Sequence, residues 1–134
     1  MKTILLVEDD LSLTKLLRHV LKRFNVIAAA TGEDALQAFG NRDRSVGLLV
    51  ADVRLRRLSG IQVALHIRSE SFDFPVVLMS GYLADGWRDM DIVDLERLGS
   101  KLVIVLQKPF ATHALLNAVY DLIGKPHTEI ARTA

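Results

Sequence analysis

The chain contains no cysteine among its 134 residues, and this absence removes several classes of chemistry. Disulfide bonds, metal sites built on thiolates and cysteine nucleophiles are all excluded. Long apolar runs are also missing, since none approaches the roughly 20 residues that a membrane-spanning helix requires. Residues 1–7 are too short for the apolar region of a signal peptide, and acidic residues follow them directly. These absences favour a cytoplasmic protein without membrane contact.

An excess of charge of either sign is equally absent. Seventeen Lys and Arg residues face sixteen Asp and Glu residues, which leaves a formal net charge of +1. This balance gives no general attraction to nucleic acid or to anionic membranes. The basic group Arg54, Arg56 and Arg57 is too small to predict nucleic-acid binding. The length fits one domain, so we expect a folded domain over residues 1–124 and a loose polar tail over residues 125–134.

The hydrophobic residues are concentrated in five short runs, separated by stretches long enough for helices. The runs are Thr3–Val7, Asn25–Ala29, Val46–Ala51, Pro75–Ser80 and Leu102–Leu106. Four of them are nearly continuous in Val, Ile and Leu, as is typical of strands buried on both faces of a parallel sheet. The alternation of such runs with amphipathic stretches predicts an α/β fold with right-handed crossovers.

Five helices are expected to connect and follow these strands. The first carries apolar residues at 3.6-residue spacing from Leu13 to Phe24. The second begins at Thr31, a suitable N-cap before two acidic residues. The other three are predicted after Gly60, over residues 85–98 and over His113–Ile123.

Polar side chains follow four of the five predicted strands directly. They are the acids Glu8, Asp9 and Asp10 after the first strand, Asp52 after the third, Ser80 at the end of the fourth, and Lys108 after the fifth. Ligands of such sheets bind at the carboxyl ends of the strands, so we expect these groups to share one edge. The acids would repel each other there, and either Lys108 or a divalent cation could offset that repulsion. Oxygen ligands without any thiolate favour Mg²⁺.

This combination predicts a phosphoryl-transfer site, because Mg²⁺ held by few carboxylates keeps positions open for water and phosphate. Asp52 would be the nucleophile and form an acyl phosphate. The metal and Lys108 would bind two phosphoryl oxygens, and Ser80 would bind the third. Each residue alone has a simpler interpretation as a helix cap, a turn or a loop residue. The prediction depends on their occurring together, each after a strand.

The segments that carry these residues resemble the receiver domain of two-component response regulators. The matching stretches are ILLVEDD (4–10), LLVADVRLRRLSG (48–60), VVLMSGY (76–82) and LQKPF (106–110). The resemblance extends from Lys2 to Ile123. It implies a flavodoxin-like, doubly wound sheet of five parallel strands in the order 2-1-3-4-5, with five helices.

The resemblance also implies how the metal is held. Asp52 accepts the phosphoryl group and contacts Mg²⁺, Asp9 binds the metal directly, and Glu8 binds it through water. The backbone carbonyl of Arg54 completes the protein ligands, and Mn²⁺ could replace Mg²⁺. Asp10 receives no metal role and is expected to be the N-cap of the first helix.

Further roles concern the phosphoryl group itself. By resemblance, Ser80 and Lys108 bind its oxygens, and the bond between Lys108 and Pro109 is often cis in the family. Arg54 and Tyr82 each lie two residues beyond a site residue. In the family these two positions flank the path of the hydrolytic water and tune the lifetime of the phosphoryl group.

Three features depart from the family pattern. Val105 stands where the family usually has a switching aromatic, so an aromatic rotamer at this position cannot report the phosphorylated state. The loop after Asp52 lacks its usual proline. The stretch between Ser80 and Lys108 is longer than usual and contains the only tryptophan, Trp87. We therefore expect a long or irregular fourth helix region.

The resemblance implies a signalling domain that catalyses only its own phosphorylation and dephosphorylation. Its partners would be a histidine kinase or phosphotransfer protein and an output protein that the sequence does not name. Family analogy also allows a homodimer. Two alternatives stay open: a pseudo-receiver that binds partners without phosphorylation, and a phosphohydrolase of the haloacid-dehalogenase type. The second needs an acid two residues after its nucleophile, where this chain has Arg54.

Overall fold

A computed structural model describes residues 2–41, 45–81 and 87–126 and contains one five-stranded sheet. The strands are β1 (Thr3–Val7), β2 (Asn25–Ala29), β3 (Val46–Asp52), β4 (Val76–Ser80) and β5 (Val103–Gln107). The helices are α1 (Leu11–Val20), α2 (Gly32–Gly40), α3 (Gly60–Glu70), α4 (Asp89–Leu98) and α5 (Thr112–Ile123). All neighbouring strands are parallel, in the order β2-β1-β3-β4-β5. This confirms the predicted fold.

The sheet lies between two layers of helices, each with its own hydrophobic cluster. Helices α2, α3 and α4 cover one face, where residues such as Ala35, Ile61 and Leu98 are buried. Helices α1 and α5 cover the other face, with Leu17 and Leu115 among the buried residues. Because both faces are covered, the central strands β1, β3 and β4 are almost entirely buried, as their continuous apolar sequences indicate.

Helix starts are fixed by polar side chains. Asp10 accepts hydrogen bonds from the backbone N–H groups of Ser12 and Leu13, which confirms it as the N-cap of α1. Thr31 caps α2 as predicted. At α3, Ser59 and Gln62 bond each other's backbone in a capping box, which the Ser-x-x-Gln spacing could have indicated.

Two helix predictions need correction. Helix α1 ends at Val20, so Phe24 lies outside it; this ring packs instead in the α1–α5 cluster, 6.4 Å from the Tyr120 ring. Helix α4 begins at Asp89 rather than at residue 85, and residues 82–86 lie outside the described part of the chain. Strand ends differ from the predicted ones by one residue at most.

The domain boundary expected at residue 124 stays a prediction. Helix α5 ends at Ile123, and Gly124 follows it with a positive φ of 83°, which favours glycine. Most of the predicted tail, residues 127–134, lies outside the described residues. Within the described ranges, no helix is long and apolar enough to cross a membrane.

Candidate functional site

The three acids predicted to hold a metal meet at the carboxyl edge of the sheet. Strand register places them there: Val7 pairs with Ala51, so Glu8 and Asp52 follow on neighbouring strands. Carboxylate oxygens of Glu8, Asp9 and Asp52 lie within 4.8 Å of one another. Glu8 and Asp52 are buried, whereas Asp9 is exposed. Three converging carboxylates, one of them open to solvent, fit a hard divalent cation that keeps part of its water shell.

Lys108 joins two of these acids. Its Nζ donates hydrogen bonds to Glu8 Oε1 and to Asp52 Oδ2, each at 2.9 Å. The peptide bond between Lys108 and Pro109 is cis, as the resemblance implied. The Lys108 backbone N–H also donates to the Ser80 carbonyl, at 2.6 Å. One ammonium group therefore compensates part of the negative charge that the strand ends bring together.

The pKa values of the bridged groups reflect burial and charge. Burial raises the pKa of Glu8, and the hydrogen bond from Lys108 opposes this only in part. Burial also acts to lower the pKa of Lys108, but hydrogen bonds to Asp52 and Glu8 outweigh it, and the pKa is raised. The lysine is therefore held in its charged form, as a group that binds phosphoryl oxygens must be.

The loop after β3 holds Asp52 by its backbone. Asp52 Oδ1 accepts a hydrogen bond from the Arg54 N–H at 3.1 Å, so the two carboxylate oxygens have different partners. The Val53 N–H donates to the Met79 carbonyl, and the Gly60 N–H donates to the Val53 carbonyl. This ties the residue after Asp52 both to the next strand and to the start of α3. The side chain of Arg54 is exposed.

Ser80 ends β4 one residue beyond Met79, which pairs with Asp52. Its side chain is buried, with 1% of the residue exposed. The Ser80 hydroxyl oxygen accepts a hydrogen bond from Trp87 Nε1 at 2.7 Å. The sequence predicts a long or irregular fourth helix region around Trp87 and does not predict this contact. No periodic pattern could have found it, because the contact is not between residues at a helix or strand spacing.

The structure thus brings Glu8, Asp9, Asp52, Ser80 and Lys108 to one edge of the sheet, as expected. Asp10 lies beside them but caps α1. Tyr82 lies outside the described residues, so its suggested influence on phosphoryl lifetime stays a prediction. The metal role of the Arg54 carbonyl also stays a prediction.

Comparison with known proteins decides the family. Residues 4–120, which make up most of the chain, match the response regulator receiver domain family. The chain belongs to this family of two-component receiver domains. Phosphoryl transfer and Mg²⁺ dependence are general to the family, and its members are signalling domains rather than classical enzymes.

Curated relatives contain further sequence beyond the receiver domain. The transcriptional regulatory protein CpxR of Escherichia coli K12 is 34% identical over 129 residues, which cover 95% of this chain and 51% of CpxR. The alkaline phosphatase synthesis transcriptional regulatory protein PhoP of Bacillus subtilis is 36% identical over 81 residues, covering 59% of this chain and 33% of PhoP. The chain spans about half the length of CpxR, and its match to PhoP covers a third of that protein.

Solved structures agree with the fold. A response regulator receiver protein from Sinorhizobium medicae matches with a TM-score of 0.76 and 27% identity, covering 94% of this chain and 97% of that protein. The chemotaxis protein CheY4 of Vibrio cholerae matches with a TM-score of 0.73 over 92% of this chain and 99% of its own. At 21% identity the second match shows a shared fold and nothing more.

Within this receiver domain, Val105 lies in the middle of β5. It pairs with Leu78 in the β4–β5 ladder, and 39% of its surface is exposed. Its side chain has no hydrogen-bonding group.

Proposed function

We propose that this receiver domain takes a phosphoryl group onto Asp52 in an Mg²⁺-dependent reaction, and that the modification changes its affinity for a protein partner. The observation that carries the proposal is the bridge from Lys108 Nζ to both Glu8 and Asp52, beside exposed Asp9. A buried carboxylate next to a fixed cation and a cluster of oxygen ligands is suited to receive a phosphoryl group.

The transfer exchanges one bond to phosphorus for another. A carboxylate oxygen of Asp52 attacks the phosphorus, and the P–N bond of a phosphohistidine donor breaks as the imidazole keeps the electron pair. With acetyl phosphate, a P–O bond breaks and acetate leaves. Lys108 binds one oxygen of the transferred group, and the Ser80 hydroxyl donates to another. Catalysis consists mainly of positioning and charge compensation.

The acidic cluster fits the metal that the family uses. Asp9 and Asp52 would bind Mg²⁺ directly, Glu8 through water, and Arg54 through its backbone carbonyl; Mn²⁺ could serve as well. When bound, the metal neutralises charge on the phosphoryl oxygens. The exposure of Asp9 leaves this side of the cluster open to solvent, where a phosphodonor and the metal's waters would enter.

The donor would be a histidine kinase or a phosphotransfer protein, and the output would be contact with another protein or a second copy of the chain. CpxR and PhoP are described as transcriptional regulators, but this chain covers only part of each. The formal net charge of +1 gives the chain no general attraction to nucleic acid, and its cytoplasmic location stays a prediction. The alternative function is that of a pseudo-receiver, which would bind partners without phosphorylation, and the experiment below distinguishes the two.

Phosphoryl uptake is tested by intact mass. We expect incubation with acetyl phosphate and Mg²⁺ to add one phosphoryl group, and incubation without Mg²⁺ to add none. Hydroxylamine should remove the added group, because it cleaves an acyl phosphate and spares a phosphoserine. No mass gain, together with no binding of beryllofluoride, would contradict the proposal and favour the pseudo-receiver.

Removing the Lys108 charge should tighten metal binding, because the ammonium and Mg²⁺ share the same carboxylates. For Lys108→Met we expect about tenfold higher Mg²⁺ affinity by titration calorimetry. A tenfold change in affinity corresponds to about 1.4 kcal/mol. We expect this to be smaller than the roughly 4 kcal/mol of a charge pair at 4 Å and an effective dielectric of 20, because the site is partly open to solvent.

The matched control is Lys101→Met, which removes the same charge. Lys101 pairs with Asp73 at 2.8 Å and precedes β5, at the opposite edge of the sheet. Its Mg²⁺ affinity should equal that of the parent. Equal affinities for all three proteins would show that Lys108 and the metal do not share ligands.

A further inference from the structure

The hydrogen bond from Trp87 to Ser80 joins the site to the start of α4. Trp87 immediately precedes Arg88, the N-cap residue of that helix. The Arg88 N–H donates to Asp91 Oδ2 at 2.9 Å, and Asp91 is buried, which fixes the first turn. The Trp87 ring is partly buried and packs against the α2–α4 hydrophobic cluster. The indole is therefore held by its packing while its N–H reaches the end of β4.

The bond constrains the Ser80 hydroxyl, because the Oγ position depends on a single side-chain torsion with three staggered states. A tryptophan N–H can only donate, so Oγ must be turned toward the indole to accept from it. The carboxylate oxygens of Asp52 are already bonded, one to Lys108 and the other to the Arg54 N–H. In this arrangement the Ser80 Oγ is directed toward the indole, which directly precedes the N-cap of α4.

We propose that Trp87 is a positioning residue for Ser80: its indole N–H holds Oγ in one staggered state in the unphosphorylated protein, and this bond breaks when Oγ rotates to another state to donate to a phosphoryl group on Asp52. The inference rests on the proposed function. Loss of the bond frees the indole from β4 and so changes the surroundings of the first turn of α4. Trp87 thereby supplies the aromatic coupling that Val105 cannot provide.

The direct test follows the single indole N–H by NMR, since Trp87 is the only tryptophan. In the parent protein we expect one strongly hydrogen-bonded indole resonance that exchanges slowly with solvent. Beryllofluoride with Mg²⁺, a mimic of the phosphoryl group, should move this resonance upfield and accelerate its exchange. A resonance that stays in place when beryllofluoride is bound would overturn the inference while leaving the proposed function intact.

The second test uses Trp87→Phe, which keeps an aromatic ring and removes the N–H. Because a competing hydrogen bond is lost, we expect beryllofluoride affinity to rise about 2- to 10-fold, the range for one net hydrogen bond. In a Ser80→Ala background the same substitution should change affinity less than about twofold, since the acceptor is already gone. Weaker or unchanged binding by Trp87→Phe, or an equal effect in both backgrounds, would overturn the inference.

Failure of the proposed function looks different. If the parent protein neither binds beryllofluoride nor gains a phosphoryl group, both proposals are wrong. If the parent does both, the indole resonance and the paired substitutions test only the role of Trp87. The NMR measurement needs no variant, so the inference stays testable even where Trp87→Phe folds poorly.

Discussion

Asp52→Asn is expected to abolish phosphoryl uptake from acetyl phosphate. Asparagine keeps the size of the side chain and one oxygen, which can accept from Lys108 or from the Arg54 N–H in place of the two carboxylate oxygens. A neutral amide is a very poor nucleophile. Lys108 would keep its bond to Glu8 at 2.9 Å, so the site should remain assembled. We expect no added mass under conditions in which the parent protein is fully modified.

The control for lost charge is Asp10→Asn. Asp10 follows Glu8 and Asp9, the proposed metal ligands, in the sequence, but its side chain caps α1, and asparagine is an equally good N-cap. This variant should therefore take up a phosphoryl group at close to the parent rate. Phosphoryl uptake by Asp52→Asn, or its loss in Asp10→Asn, would show that the acceptor has been assigned to the wrong acid.

Gly60→Ala is expected to cause the largest loss of stability among the glycine positions of the site. A Cβ on Gly60 would lie 2.9 Å from the Asp52 carbonyl carbon and closer still to the Asp52 oxygen. Both atoms belong to main chain, which cannot rotate away as a side-chain end could. Gly60 is also fixed by its N–H bond to the Val53 carbonyl. The methyl group must therefore push the start of α3 away from the end of β3.

Such overpacking costs about 1–3 kcal/mol in the free energy of unfolding, and here we expect the upper part of that range. Because Asp52 itself is displaced, phosphoryl uptake should fall as well. Denaturant unfolding and the acetyl phosphate assay measure the two effects on the same sample. A variant with parent stability would mean that α3 and β3 are not held as closely as the structure has them.

Gly40→Ala is the matched control. Gly40 ends α2, and a Cβ there would meet nothing within 4 Å. Since alanine favours helix more than glycine by up to about 1 kcal/mol, this variant should be equally stable or slightly more stable than the parent. The same chemical change thus separates a steric cost at Gly60 from the general effect of losing a glycine.

The sequence by itself determined the fold and which polar residues stand at the strand ends. Continuous apolar strands such as Val46–Asp52 can only be buried on both faces, which requires helices on each side of a parallel sheet. Strand ends then share an edge, so the acids, Ser80 and Lys108 had to meet there. Caps such as Asp10 and Thr31 were readable because capping depends on neighbours along the chain.

Tertiary structure decided what depends on contacts between distant segments. Lys108 could have paired with any of the acids, and only the packed site has it bridge Glu8 and Asp52. Phe24 looked helical by spacing but follows the end of α1, because the ring packs against α5. The bond from Trp87 to Ser80 joins residues seven apart in the sequence, and no local pattern encodes the distance between their side chains.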